Sequence, residues 1–210
     1  MVIRIALGLF ALGLIGLIWR LSSQRRELPC PSWLGWMVEM DNPFTKVNRA
    51  RVIVGLSELA PAMKVLDAGC GPGRLTLPLA EAVGPKGEVT ALDIQEAMLA
   101  RVREKATVAG LHNVQYLQTA LGDGKLARSY YDRAFLVTVL GEIPDQAAAL
   151  KEIYEALKPG GFLSVTEVIF DPHFQLRETV LRAAQAVGFR ERNFFGRKLA
   201  FTLHLEKPVG

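Results

Sequence analysis

The sequence is poor in cysteine and histidine. Among 210 residues it has two cysteines, Cys30 and Cys70, and three histidines. Two cysteines exclude both a disulfide framework and a cysteine-based zinc site, and such sparse use is typical of a reducing compartment. No spacing of His, Cys and Asp indicates a metal site.

The larger part of the chain also lacks an excess of charge of either sign. Residues 1–51 carry seven Lys and Arg against three Asp and Glu, whereas residues 52–210 carry eighteen of each, so the net charge of +4 lies near the start. A nucleic-acid-binding domain is expected to carry its own basic patch. We therefore expect no nucleic-acid partner, and the basic start favours an anionic membrane surface.

The chain begins with a long apolar run. Val2 to Trp19 contains one charge, Arg4, and Arg20, Arg25 and Arg26 follow. Eighteen helical residues span about 27 Å, close to the hydrocarbon thickness of a bilayer. A signal peptide and a buried core helix are the alternatives, but no small-residue cleavage site follows. The pattern favours a single-pass anchor, with the arginine asymmetry placing the rest of the chain in the cytoplasm.

A second helical pattern follows the apolar run. Trp33, Trp36, Met37 and Met40 recur at i, i+3, i+4 and i+7, which predicts one apolar face of a helix. This face packs on the domain, lies in the lipid headgroup layer or covers a lipophilic substrate. The predicted organisation is a transmembrane anchor over 1–20, a basic linker with this helix over 21–43, and a domain over 44–210.

Strand and helix patterns alternate from Met63 onward. The predicted strands are KVLDA, GEVTALDI, NVQYLQTA, DRAFLVTVL and FLSVTEVIF, followed by a hairpin formed by RERNFFGR and KLAFTLHLEKP. The segment PDQAAALKEIYEALKPGG is predicted to be helical up to Pro159. Such alternation predicts an α/β fold with a mainly parallel sheet covered on both faces, which ends in an antiparallel hairpin.

The segment VLDAGCGPG joins the first of these strands to a helix. Gly69, Gly71 and Gly73 allow a tight turn and a close approach to a ligand. Asp93 ends the next strand, where a carboxylate can accept hydrogen bonds from ribose hydroxyls. An NAD-binding loop is the competing interpretation. However, Arg74 occupies the position at which the NAD-binding fingerprint G-x-G-x-x-G has its third glycine.

Several spaced motifs resemble those of class I S-adenosylmethionine-dependent methyltransferases. VLDAGCGPG resembles motif I, TALDIQEAML the second-strand motif, YYDRAFLVTVLGEIPD the fourth-strand region and LKPGGFLSVTE the segment entering strand five. The resemblance covers about residues 44–208 and is nearest to the ubiquinone/menaquinone C-methyltransferase and methyltransferase type 11 branch. It implies a Rossmann-like seven-stranded sheet, enzymatic methyl transfer and S-adenosyl-L-methionine as cofactor.

The resemblance also implies a cofactor site, residue by residue. Its members are Asp67, Gly69, Cys70, Gly71, Gly73, Asp93, Ile94 and Asp123. Asp67 and the glycines surround the methionine portion, Asp93 binds the ribose, and Ile94 lies beside adenine. Ala120 or Asp123 occupies the place of the acidic residue that this branch has after strand three. Cys70 is interpreted as a small packing residue rather than a nucleophile.

Three polar residues near the ends of strands four and five are candidates for the acceptor side. Glu142 either contacts substrate or stabilises the next helix start, and Glu167 is either functional or a structural hydrogen-bonding group. His173 is a base or orienting group, or else a surface or capping residue near a helix start. A base is needed only for an acceptor that arrives protonated.

The combined pattern predicts a membrane-anchored methyltransferase that acts on a lipophilic small molecule, such as a lipid amine, a quinone-like ring, or a lipophilic thiol or phenol. The alternative is a non-catalytic membrane scaffold or partner subunit that binds the cofactor. The sequence departs from its nearest branch at Leu140-Gly141-Glu142, where Leu-His-His is usual. It leaves the acceptor atom and the oligomeric state open.

Overall fold

A computed structural model of the chain describes residues 45–210. The predicted anchor, the basic linker and the helix with Trp33 and Trp36 lie outside the described residues. Within residues 45–210, no helix has both the length and the apolar character that a bilayer crossing requires.

The described elements alternate between helix and strand over most of their length. In chain order they are α1 (Ala50–Leu56), β1 (Lys64–Ala68), α2 (Thr76–Val83), β2 (Glu88–Asp93), α3 (Glu96–Val108), β3 (Val114–Gln118), β4 (Tyr131–Val137), α4 (Gln146–Ala156), β5 (Leu157–Val168), α5 (Arg177–Ala186), β6 (Arg190–Arg197) and β7 (Ala200–Glu206). A single 3-10 turn, Leu140–Glu142, lies between β4 and α4.

The strands form one seven-stranded sheet in the order β3-β2-β1-β4-β5-β7-β6. The first five strands in this order are parallel, and β7 is antiparallel to both β5 and β6. The predicted α/β sheet and its closing antiparallel hairpin are confirmed. Because β1 lies between β2 and β4, the connections after β1 and β4 leave on opposite sides and open a crevice at the carboxyl ends of the strands.

Helices cover both faces of the sheet, so successive strand residues enter different cores. Val65 packs with Ile53 of α1 and with apolar residues of α2 and α3. Its neighbour Leu66 packs on the other face with Ile153 of α4 and Val180 of α5. All five side chains have no solvent exposure. The two cores fix the ends of the parallel strands at one edge.

The prediction that the fourth helix continues to Pro159 is wrong. The helix ends at Ala156, and β5 begins at Leu157, which pairs with Tyr131. The following glycines bond to the chain after β7, since the Gly160 N–H donates to the Lys207 carbonyl and the Lys207 N–H to the Gly161 carbonyl. These backbone bonds attach the segment to the strand side of the sheet and prevent the helix from continuing.

Glu152 of α4 holds the connection between β3 and β4. Its buried carboxylate accepts the backbone N–H of Leu126 at 2.9 Å and also that of Gly122. Hydrogen bonds to a charged acceptor contribute more than neutral ones, and their loss leaves buried donors unpaired. Glu152 therefore orders a connection whose first residues lie at the carboxyl ends of the parallel strands.

We predict that Glu152→Ala lowers the free energy of unfolding by about 2–3 kcal/mol, because the buried N–H of Leu126 and the more exposed N–H of Gly122 lose a charged acceptor. Denaturant titration followed by circular dichroism measures this loss. Glu155→Ala in the same helix is the matched control. Its side chain pairs at the surface with Arg128, which is 80% exposed, so a change within about 0.5 kcal/mol is expected. Equal losses in both variants would contradict the assigned role.

Candidate active site

The loop between β1 and α2 depends on glycine. Gly69, Gly71 and Gly73 have φ values of 70°, 51° and 89°, in the left-handed region that other residues rarely adopt. A Cβ at position 69 would lie 2.6 Å from Cγ2 of Val139. Val139 follows β4, so this glycine brings the loops after β1 and β4 into direct contact.

Asp93, at the end of β2, fixes the other side of this loop. One carboxylate oxygen accepts the Gly71 N–H at 2.9 Å, and the other accepts the Gln95 N–H at 2.9 Å. A carboxylate has about four acceptor positions, so Asp93 can still accept a hydrogen bond from a hydroxyl donor. The next side chain, Ile94, is 48% exposed. Together they place a hydroxyl-binding carboxylate beside an exposed apolar surface.

Asp67 lies beneath the loop and is almost fully buried. Its carboxylate accepts the Thr76 hydroxyl at 2.6 Å. Burial raises the pKa of Asp67 to about 6, while the Thr76 hydrogen bond and the charge of Arg74 oppose that rise. At neutral pH Asp67 is therefore mainly ionised, and it supplies negative charge to the loop.

Cys70 contributes its backbone to the loop rather than its thiol. Its N–H donates to the Leu92 carbonyl at 2.9 Å, and its side chain packs within the core beneath α2 and α3. Burial raises the pKa of the Cys70 thiol far above its usual range. The thiol stays protonated, in agreement with its interpretation as a packing residue.

Asp123 lies in the connection after β3, at the same edge of the sheet. Thr119 joins it to the cofactor side, since its hydroxyl donates to Asp123 at 3.1 Å and its N–H to the Asp93 carbonyl at 3.3 Å. Asp123 and the alternative residue, Ala120, are both exposed. A single intervening residue, Thr119, therefore connects Asp123 to Asp93.

The three acceptor-side candidates converge where β4 and β5 end. Glu142 ends the 3-10 turn after β4, Glu167 lies near the end of β5, and His173 lies in the connection to α5. The glycine at position 141 makes this convergence possible, because a Cβ there would lie 2.0 Å from the His173 carbonyl oxygen. A larger residue at 141 would displace the segment that carries His173.

The structure bears on the structural alternatives for two of these residues. His173 is buried and precedes α5 by several residues, so the prediction of a surface or helix-capping position is wrong. Asp145, not Glu142, caps α4, since its side chain accepts the Ala148 N–H at 2.9 Å.

Glu167 has a strongly perturbed carboxyl group. It is 1% exposed, and one oxygen accepts the Gln175 N–H at 3.3 Å. The other oxygen has no hydrogen-bond partner among the described residues. Burial raises the pKa of Glu167 to about 8, and the nearby charges of Asp171 and Glu142 add to the rise. At neutral pH this carboxyl is mainly protonated.

Thr138 is a feature that the sequence pattern concealed. DRAFLVTVL reads as one strand, but β4 ends at Val137 and Thr138 has a φ of 55°. This conformation is strained for a β-branched residue. The Thr138 N–H donates to the Thr166 carbonyl of β5 at 2.9 Å. The turn directs Val139 toward Gly69, and no local sequence signal indicates it.

Residues 65–161 match the family described as Methyltransferase domain. The matched residues include the glycine loop and Asp93, whose carboxylate contacts that loop. The match also agrees with the strand order of the sheet. Over these residues the chain is similar to S-adenosylmethionine-dependent methyltransferase domains. Because a bound ribose needs hydroxyl acceptors and adenine an apolar surface, Asp93 and Ile94 of this methyltransferase domain fit S-adenosylmethionine, its cofactor.

Known proteins agree with this assignment. The methyltransferase domain is similar to a demethylmenaquinone methyltransferase of Listeria monocytogenes, with 37% identity over 109 residues, 52% of this chain and 46% of that protein. It is also similar to the ubiquinone/menaquinone biosynthesis C-methyltransferase UbiE of Vibrio vulnificus, with 35% identity over 126 residues, 58% of this chain and 48% of UbiE. The chain thus spans about half the length of these curated relatives.

A solved structure shows the same fold over more of the chain. The crystal structure of a SAM-dependent methyltransferase from Aquifex aeolicus has a TM-score of 0.74 and 22% sequence identity. The alignment covers 84% of this chain and 98% of the Aquifex chain. The methyltransferase fold therefore extends well beyond the residues that match the family.

The raised pKa of Glu167 predicts a specific pH dependence of stability. The folded-state pKa of about 8 exceeds the ordinary value of 4.5, so ionisation opposes folding. The associated stability is complete below about pH 4.5 and is lost as the pH rises through 8. Between pH 5 and 8 the free energy of unfolding of the wild type should fall by on the order of 3 kcal/mol relative to Glu167→Gln.

Denaturant titrations across this pH range measure the difference. Glu178→Gln is the matched control, since Glu178 is exposed in the first turn of α5, and its stability should follow that of the wild type. The titration of Asp67 contributes equally to all three proteins. Parallel curves for the wild type and Glu167→Gln would show that Glu167 does not titrate in this way.

The exposed side chain of Ile94 allows a test of the cofactor site with little effect on folding. We predict that Ile94→Ala raises the Kd for S-adenosylmethionine about tenfold, because the adenine loses an apolar contact. Calorimetry on the full chain measures this affinity. Val108→Ala is the matched control, since Val108 is 86% exposed at the other end of α3, and its Kd should not change. Unchanged affinity in Ile94→Ala would remove Ile94 from the site.

Proposed function

We propose that this chain transfers a methyl group from S-adenosylmethionine to a small lipophilic acceptor at a membrane. The observation that carries the proposal is the contact between Gly69 and Val139, which brings the cofactor loop next to the turn that leads to Glu142. The bound cofactor supplies an activated methyl group on a sulfonium. The protein residues then have to position the acceptor, exclude water and handle a proton.

Glu167 is the residue best suited to the proton. Its unpartnered oxygen lies at the carboxyl end of β5, and its pKa of about 8 is close to the pH at which a base is most effective. In its ionised form it accepts the proton that a phenol, enol or thiol must lose. Glu142 and His173 lie beside it and are assigned to orientation of the acceptor.

Two observations bear on the acceptor. The relatives are named as demethylmenaquinone and ubiquinone/menaquinone methyltransferases, which supports a quinone-like ring as the first compound to test. However, a Cβ at position 141 would lie 2.0 Å from the His173 carbonyl oxygen, so the Leu-His-His segment usual in that branch does not fit this structure. We infer an acceptor pocket of different shape and test a broader range of lipids.

The proposed location is a membrane, with the domain on the cytoplasmic side. The apolar run over residues 2–19 and the arginines after it support this proposal. The distribution of charge agrees, since the basic excess lies near that run.

The direct test incubates the full chain with radiolabelled S-adenosylmethionine and a membrane-lipid extract. We expect label in the lipid fraction and a mass gain of one methyl group in one lipid class. Because the base must be ionised, the rate constant kcat should rise about tenfold per pH unit below 8 and then level off.

Glu167→Gln should lower kcat by about 100-fold or more and abolish this pH dependence. It should leave the Kd for S-adenosylmethionine unchanged, and Glu178→Gln should behave as the wild type. If the chain binds the cofactor but labels no lipid, the non-catalytic scaffold becomes the better description. If kcat instead falls as the pH approaches 8, the role of Glu167 as a base is wrong.

A further inference from the structure

The β6–β7 hairpin ends in an exposed, basic and apolar turn. Arg197 pairs with Ala200, so Lys198 and Leu199 form a two-residue connection. Arg197, Lys198 and Leu199 are exposed, and Leu199 is 51% exposed. Such connections usually contain Gly, Asn or Asp, which suit the turn geometry and water. An exposed leucine between a cation and a strand is therefore unusual at this position.

Phe170 adds a second large apolar side chain at the same corner of the molecule. The Ile169 N–H donates to the Leu199 carbonyl at 2.8 Å, so the segment after β5 runs beside the turn. Phe170 is 63% exposed. We call Phe170, Arg197, Lys198 and Leu199 the hairpin tip. It combines two exposed apolar groups with two cations, and the sequence from Phe194 to Phe201 contains no acidic residue.

The hairpin tip lies at the edge of the sheet that carries the candidate active site. Val168 pairs with Ala200, and Glu167 pairs with Phe201, so the turn is level with the end of β5. Three strand intervals separate β7 from β1, which corresponds to about 14 Å along the sheet. A surface that contacts the tip thus faces the opening between the cofactor loop and Glu167.

A bilayer with anionic lipids fits these properties better than a protein partner does. A stable protein interface needs about 800 Å² of complementary surface on each partner, and the tip offers only four residues. A bilayer needs no complementary shape. It accepts apolar side chains at the acyl boundary and attracts cations through its anionic headgroups.

We propose that the hairpin tip docks on an anionic bilayer, with Leu199 and Phe170 at the acyl boundary and Arg197 and Lys198 among the headgroups. The active-site edge then faces the membrane, so that a lipophilic acceptor enters directly from it. Entry of an acceptor from the membrane rests on the proposed function, whereas the binding of the hairpin tip to the bilayer does not require catalysis.

A label at position 199 tests the contact in the full chain. Leu199→Cys in a Cys30→Ser background is labelled with the fluorophore NBD, since Cys70 is buried. The protein is reconstituted in phosphatidylcholine vesicles containing about one third phosphatidylglycerol. Replacing the acyl chains by brominated ones should quench the label about twofold, because it lies at the acyl boundary.

Val108→Cys is the matched control for this measurement. Val108 is an exposed apolar residue at the opposite edge of the sheet, and its label should not be quenched. A label at 199 that is quenched no more than one at 108 overturns the proposal, even if another segment attaches the chain to the vesicles.

The charge requirement is tested with Arg197→Gln/Lys198→Gln. This double variant, zwitterionic vesicles and high salt should each reduce the quenching at position 199. If the double variant, zwitterionic vesicles and high salt all leave the quenching at position 199 unchanged, the choice of anionic lipid is overturned. The assay contains no methyl acceptor, so it is independent of catalysis. Quenching without methyl transfer contradicts only the proposed function, and lipid methylation without quenching contradicts only the docking.

Discussion

The approach of Gly69 to Val139 is the constraint on which the rest of the site depends. A side chain at position 69 would overlap Val139, so glycine alone lets the loops after β1 and β4 meet. Asp93 fixes the loop on its other side through the Gly71 N–H. The strand order provides a crevice between β1 and its neighbours. These two contacts shape the loop, and the strand order places the predicted cofactor residues and Glu167 at one edge of the sheet.

Carboxyl groups at this edge have different charge states because their partners differ. The Thr76 hydroxyl and the charge of Arg74 stabilise the ionised form of Asp67, so burial raises its pKa only to about 6. Glu167 has one backbone donor at 3.3 Å and two acidic neighbours, and its pKa is about 8. At neutral pH the cofactor side therefore carries a negative charge suited to a cationic ligand, while the acceptor side has a carboxyl that exchanges its proton.

The residues predicted from sequence are those whose role is set locally. Gly71 follows a strand whose apolar pattern is clear, Asp93 ends the next strand, and the positive φ values of the loop favour glycine. Thr138 and the burial of His173 were beyond sequence reasoning, because both depend on contacts between distant segments: Thr138 bonds to Thr166, and His173 lies against Gly141. The early start of β5 has the same origin, since Leu157 pairs with Tyr131 and the following glycines bond to Lys207. The predictions for residues 1–44 stay predictions.

The proposed anchor and the proposed hairpin contact would act together. Two apolar side chains and two cations give weak membrane binding on their own. An anchor would hold the domain near the bilayer and raise the effective concentration of the tip at the surface, so that a weak contact suffices to orient it. The anchor would keep the domain at the membrane. The hairpin tip would determine which edge of the sheet faces the bilayer. Only with both would the crevice between Gly69 and Glu167 be presented to a lipophilic acceptor, with the outer faces of α2 and α4 in water.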